Sequence, residues 1–120
     1  MLRIRLPFPD RSLNPNVRKV WQASVKPKQE AREIGYFAAT QAFSKNRYYF
    51  VWGKPLYLRI AIHPPDNRRR DLDNIVAALK SYQDGIFDYI DWDDSQITRK
   101  EVVLRRSCPD GKVRYILYQY

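Results

Sequence analysis

The chain has 120 residues with 22 Lys and Arg against 13 Asp and Glu, a net charge of +9; this fits one small domain with its own core and a polyanionic partner, nucleic acid before a membrane surface. Hydrophobic residues at 44% exclude a disordered chain, and no apolar run is long enough to cross a bilayer or serve as a signal-peptide core, so the cytoplasm is the expected compartment. One Cys (Cys108) and one His (His63) exclude an internal disulfide and a structural zinc site.

Leu2, Ile4 and Leu6 alternate with Arg3 and Arg5, which predicts a half-buried strand ended by Pro7 and Pro9. Residues 10–16 read as an irregular loop. Ala31, Ile34, Phe37 or Ala38, and Gln41 or Ala42 recur at helical spacing and predict a helix over about 28–45, with Gly35 a tolerated weak point. Leu56, Leu58, Ile60 and Ile62 predict a second strand, stopped by Pro64 and Pro65. A second helix is expected over about 72–83, closed by Asp84-Gly85. Residues 97–106 and 113–119 read as strands around the turn Pro109-Asp110-Gly111-Lys112 and are expected to form an antiparallel hairpin. The order predicts a single α+β domain over residues 1–120, a β-sheet with two main helices and a C-terminal hairpin.

The acids are unevenly spread. Eight of the thirteen lie between Asp66 and Asp94. Like charges so close repel unless a cation sits among them. A divalent ion beside phosphate-gripping arginines would account for such a layout, that of a metal-dependent phosphodiester-cleaving site. Asp71 also reads simply as a helix N-cap, with Asp73 in the first turn; Arg68, Arg69, Arg70 and Asn74 beside them argue for more. If the strand from Ile97 pairs beside the strand ending at Ile62, the loop holding Asp93 and Asp94 returns toward the helix start, and either could complete a ligand set. Asp93-Asp94-Ser95 equally reads as a polar turn. Asp84, Asp88 and Asp91 read as solvated loop acids.

Arg68, Arg69 and Arg70 offer planar forks matched to phosphate oxygens. Arg18, Lys19, Lys26, Lys28, Arg99, Lys100, Arg105 and Arg106 read as a general positive field. Lys80, seven residues after Asp73, shares its helix face and either leans toward the acids or is an ordinary surface lysine. His63 reads as structural and Cys108 as inert. Trp21, Trp52 and Trp92 read as packing residues, with Trp92 the best placed to wedge against a base.

Arg68-Arg69-Arg70-Asp71-Leu72-Asp73-Asn74, Asp93-Asp94-Ser95-Gln96-Ile97, and the opening Leu6-Pro7-Phe8-Pro9 with Ser12-Leu13-Asn14-Pro15 resemble the RusA family of Holliday-junction resolvases over nearly the whole chain. The resemblance implies a homodimeric, bacterial or phage-encoded endodeoxyribonuclease that resolves four-way DNA junctions by paired symmetric nicks. It implies Mg²⁺, with Mn²⁺ able to substitute, on Asp71, Asp73 and Asp94. It implies DNA contacts from Arg70 and Asn74, with Arg69 as a helper and Arg68 in the same basic run. The family carries a functional lysine where this chain has Ala77; Lys80, one turn on, is the candidate replacement in the catalytic set. Two other readings stand beside this one: a branched-DNA-binding relative without catalysis, and a flap or fork nuclease of phage DNA processing.

Overall fold

A computed structural model describes residues 1–13, 21–45 and 50–119, with 21–24 by backbone alone. Its strands form where apolar and polar residues alternate, because only then does one face of a pleated sheet become apolar. β1 (Leu2–Leu6) buries Leu2, Ile4 and Leu6. β2 (Leu56–His63) buries Leu56, Leu58, Ile60 and Ile62. β3 (Ile97–Leu104) is more exposed, and β4 (Lys112–Tyr118) buries Val113, Tyr115 and Leu117. The helices α1 (Trp21–Lys45), α2 (Leu72–Ala78) and α3 (Lys80–Ile90) complete a two-layer α+β domain.

The strand order is β1-β4-β2-β3. β4 runs antiparallel to both β1 and β2, and β3 runs parallel to β2, from Leu56 beside Ile97 to Ile62 beside Leu104. The expected pairing of β2 with β3 is present. The expected C-terminal hairpin is not: β3 and β4 lie on opposite sides of β2. The chain between them passes over the end of β2, where Arg105 N–H donates to Ile62 O (2.7 Å) and Cys108 N–H to Pro64 O (3.0 Å). The Pro-Asp-Gly turn exists, with Gly111 N–H on Cys108 O and both Asp110 and Gly111 at positive φ, but it ends a crossing rather than a hairpin.

Both helix expectations need correction. α1 extends over Trp21–Lys45, longer than the expected 28–45, and carries Pro27 inside it. Of the expected face, Ala31 and Ala42 are buried and Ala38 is half-buried, whereas Ile34, Phe37 and Gln41 are exposed; Gly35 and Ala39 complete the inward side. The second helical stretch does not close at Asp84-Gly85. It relaxes at Leu79, whose N–H bonds Ile75 O and Val76 O, and continues as α3 to Ile90. Asp91, at φ 62°, is the left-handed residue that ends it.

Gly85 is buried where α3 crosses α1. A Cβ there would strike the backbone carbonyl of Arg32, and one on Gly35 would strike that of Tyr82. The two glycines let the helix backbones meet, and the small face of α1 exists for the same reason. Gly85→Ala raises helix propensity yet should lower stability by roughly 1–3 kcal/mol through overpacking. Urea unfolding of both proteins checks this; a higher midpoint for the alanine variant would contradict the close crossing.

Candidate nucleic-acid interface and carboxylate sites

The C-terminal end of β2 feeds the basic loop, and β1 ends beside it at Leu6, paired with Val113. Between these ends lies a groove of about 560 Å³. Phe8, Asp10 and Arg11 line one side of it, and Arg68 to Asp71 with Asn74 line the other. Two stretches nearly sixty residues apart thus face one space.

The three arginines differ in what they do there. Arg70 is half-buried and occupied: it donates to Asp66 O (3.0 Å) and Arg68 O (3.1 Å), pairs with the Asp66 carboxylate (2.8 Å), and lies over the Phe8 ring at 5.6 Å. The Arg68 backbone N–H, followed by the Arg70 guanidinium, holds the Asp66 carboxyl below its usual range. Arg68 is exposed and meets Asp66 only at 4.0 Å. Arg69 is exposed with no ion pair among the described residues. Arg68 and Arg69 are therefore the guanidiniums open to a phosphate, and Arg70 shapes the loop that presents them.

Asp71 and Asp73 take the helix-start places that their sequence position allows. Asp71 is the N-cap of α2, its Oδ1 accepting from Asp73 N–H at 3.0 Å. Asp73 is exposed in the first turn, and Asn74 lines the groove. Asp94 is elsewhere. Its Oδ2 accepts from Lys80 Nζ at 2.6 Å, and the same amine meets Asp84 Oδ1 at 2.9 Å. Lys80 is nine residues beyond Asp71, about 13 Å along the helix direction at 1.5 Å per residue. Asp94, Lys80 and Asp84 border a separate depression with Asp88, Asp93 and Trp92.

Among the described residues no three His, Cys, Asp or Glu side chains converge as metal ligands. In this single chain Asp71 and Asp73 stand at the start of α2, while Asp94 is engaged by Lys80. The β2–β3 pairing was expected to return the acidic loop to the helix start. Being parallel, the pairing sets Ile97 beside Leu56, at the start of β2 rather than at the end that feeds the basic loop.

Lys80 does lean toward acids, but toward Asp84 and Asp94. Hydrogen bonding to Asp94 is the main cause that raises its pKa, and the same bond holds the Asp94 carboxyl down. Lys100, on β3, reaches Gln83 Oε1 (3.4 Å) on the neighbouring helix; burial first, and then Lys80 nearby, lower its pKa. Ala77 is exposed on α2. Asp84 and Asp88 are on α3 rather than in a loop, with Asp88 bound by Arg32 of α1 through two hydrogen bonds, 2.5 and 2.7 Å. Asp93 caps a short 3-10 turn at 94–96 through Ser95 N–H.

His63 Nδ1 lies 2.7 Å from Arg106 O and ties down the chain after β3, a structural role as expected. Trp92 is half-buried against Phe50 and Trp52 (centroids 5.9 and 5.3 Å), which makes it a packing residue rather than a free wedge. Asn14, Pro15, Asn16, Arg18, Lys19 and the side chain of Trp21 lie outside the described residues.

No family model matches the chain. A protein of Xylella fastidiosa (strain Temecula1 / ATCC 700964), described as an uncharacterized protein, is 32% identical over 103 residues, covering 86% of this chain and 67% of that protein. The two belong to one family. No helix among the described residues is long and apolar enough to cross a membrane.

Sequence reasoning passed over Asp10 and Arg11 as irregular loop. The signal that could have placed them was the strand just before them, since any chain leaving β1 must pass the end of the sheet. It also read Asp88 as solvated, while Arg32 holds that carboxyl below its ordinary range. A depressed carboxylate stabilises the fold above its unfolded pKa, about 3.9, and loses that contribution as pH falls through the lower folded value. Both partners are exposed, so Asp88→Asn should cost no more than about 1 kcal/mol at pH 7. Urea unfolding at pH 7, 5, 3 and 2 should show the gap closing at the acid end; a gap constant across the series would contradict the ion pair.

Proposed function

We propose that this chain is a branched-DNA-processing protein, an endodeoxyribonuclease of RusA type acting on four-way junctions by paired nicks. The observation that carries the reading is the groove in which Phe8, Asp10 and Arg11 face Arg68 to Asp71 and Asn74. The stretches that carry the resemblance are far apart in sequence, and a shared groove gives both a purpose. Arg68 and Arg69 would grip phosphate, Arg70 would hold the loop, and Asn74 would contact DNA from the first turn of α2. Backbone contacts of this kind fix position and carry little sequence information.

The reading keeps a divalent-ion requirement, Mg²⁺ or Mn²⁺, on the resemblance alone. Asp71 and Asp73 are the acids offered next to one another at the helix start, and Asp94 lies outside them. Paired nicks on opposed strands call for two sites related by a two-fold axis, hence a homodimer.

A second reading, branched-DNA binding without cleavage, is favoured by the structural work that the acids do. Asp71 caps a helix, Asp93 caps a turn, Asp91 ends α3, Asp66 and Asp88 pair with arginines, and Asp84 and Asp94 pair with Lys80. A single experiment separates the two. An end-labelled four-way junction is incubated with the protein in Mg²⁺, in Mn²⁺ and in chelator, with binding followed in parallel. Symmetric nicks that need the ion support the nuclease; bound but uncut junction in both metals leaves the binding protein; absence of binding overturns both.

Asp71→Asn is the informative variant, because Asn caps a helix as well as Asp while removing the charge. It should abolish nicking and leave stability and DNA binding close to wild type. Arg69→Ala should weaken binding and make the dependence of log K on log salt shallower by about one unit.

A further inference from the structure

The groove uses one end of the sheet, and α1 and α3 cover one face. The other face is bare of any described element, and its composition is lopsided. Pairing register fixes what lies side by side. Arg3 is beside Ile116, which is beside Arg59, which is beside Glu101; Arg5 is beside Arg114, which is beside Ala61 and then Val103; Tyr118 is beside Tyr57, which is beside Arg99. Each of these alternates along its strand with the core residues or, on β3, with Lys100 and Val102, which face the helices.

Five guanidiniums thus share one surface with a single carboxylate, Glu101, which pairs with Arg59 at 3.2 Å. Arg3, Arg5, Arg99 and Arg114 have no ion pair among the described residues. Arg5 and Arg114 are direct cross-strand neighbours, an arrangement of like charges that destabilises a sheet unless an anion lies over it. At the β1 edge Arg3 and Arg5 also border a depression with Lys45 of α1, so the positive surface continues round the rim.

We infer that this sheet face, uncovered among the described residues, is a second DNA-contacting surface, on which an arm of the branched substrate lies by its phosphate backbone. The inference rests on the DNA-processing reading above and adds where an arm of the substrate goes. Charge selects the occupant: a second copy stacked face to face would set arginines against arginines, whereas a polyanion neutralises them. The contact is to backbone rather than to unpaired bases, because Tyr57 and Tyr118 are half-buried and packed on each other, centroids 5.4 Å apart, rather than presented singly for stacking.

The test compares wild type, R3Q/R5Q/R114Q and the charge-preserving R3K/R5K/R114K by fluorescence anisotropy with a labelled four-way junction over a salt series. Each lost phosphate contact removes about 0.9 from the slope of log K against log salt, so the glutamine variant should be shallower by about 2–3 while the lysine variant keeps the wild-type slope. An unchanged slope in a folded glutamine variant, with wild-type binding intact, overturns this surface and leaves the groove and its function standing. A wild-type protein that binds no DNA overturns both. Loss of self-association in sedimentation without a change in slope also overturns it, by giving the face to a second copy. If the triple variant does not fold, Arg99→Gln alone should lower the slope by about 0.9, and no change there overturns the inference equally.

Discussion

The parallel pairing of β3 with β2 constrains everything else in this molecule. A strand can gain a parallel neighbour only if the chain first travels back the length of the sheet. Here α2 and α3 make that return, spanning residues 72–90 between β2 and β3. The eight residues of β2 extend about 26 Å, and nineteen helical residues cover about 28 Å, so the two lengths match. One consequence is steric: the returning helix must lie on the sheet next to α1, and only glycines at 35 and 85 let the two backbones meet as they do. Another is chemical. Whatever follows β2 sits at one end of the sheet, whatever precedes β3 begins from the other, and Asp71 and Asp94 are on these two segments.

That separation changes the meaning of the acid-rich region. Concentrated carboxylates in a cationic protein suggest a shared ion, but most here have a local partner or a capping task, Asp73 being the exposed exception. Asp66 and Arg70 fold a loop, Arg32 and Asp88 join two helices, and Lys80 gathers Asp84 and Asp94 around one amine. The basic residues divide in a complementary way. Those near the acids are engaged, while Arg68, Arg69 and the arginines of the bare sheet face have little or nothing to neutralise them. The positive field that composition implies is therefore organised, concentrated at the mouth of the groove and across one broad surface.

The strands were legible from sequence because a period of two matches the pleat and does not match the turn of a helix. The β2–β3 adjacency was weighed as one way to bring the two acidic segments together, and the pairing is present. The sheet order was not. Pro109-Asp110-Gly111 carries the residues of a hairpin turn, yet here the same residues end a crossing over β2, and local turn chemistry does not distinguish the two. Gly85 misled for a related reason: a glycine after a polar residue resembles a helix stop, but its purpose is close contact with a helix fifty residues earlier. On α1 the spacing picked out Ala31 and Ala42 correctly but left Phe37 and Ala38 open and included Ile34, because helical periodicity does not show that the crossing needs small residues. At the site, Arg68, Arg69 and Asn74 were found from the motif, whereas the engagement of Arg70 depends on Phe8, sixty-two positions away.

The anchoring of Arg70 has one more consequence. A loop that must recognise an anion usually loses conformational freedom when the anion arrives, and affinity suffers by that amount. In this protein the segment is already fastened from within by two carbonyls, a carboxylate and an aromatic ring. Its ordering is completed when the chain folds, so the backbone that carries Arg68 and Arg69 is already fixed before any anion could meet it.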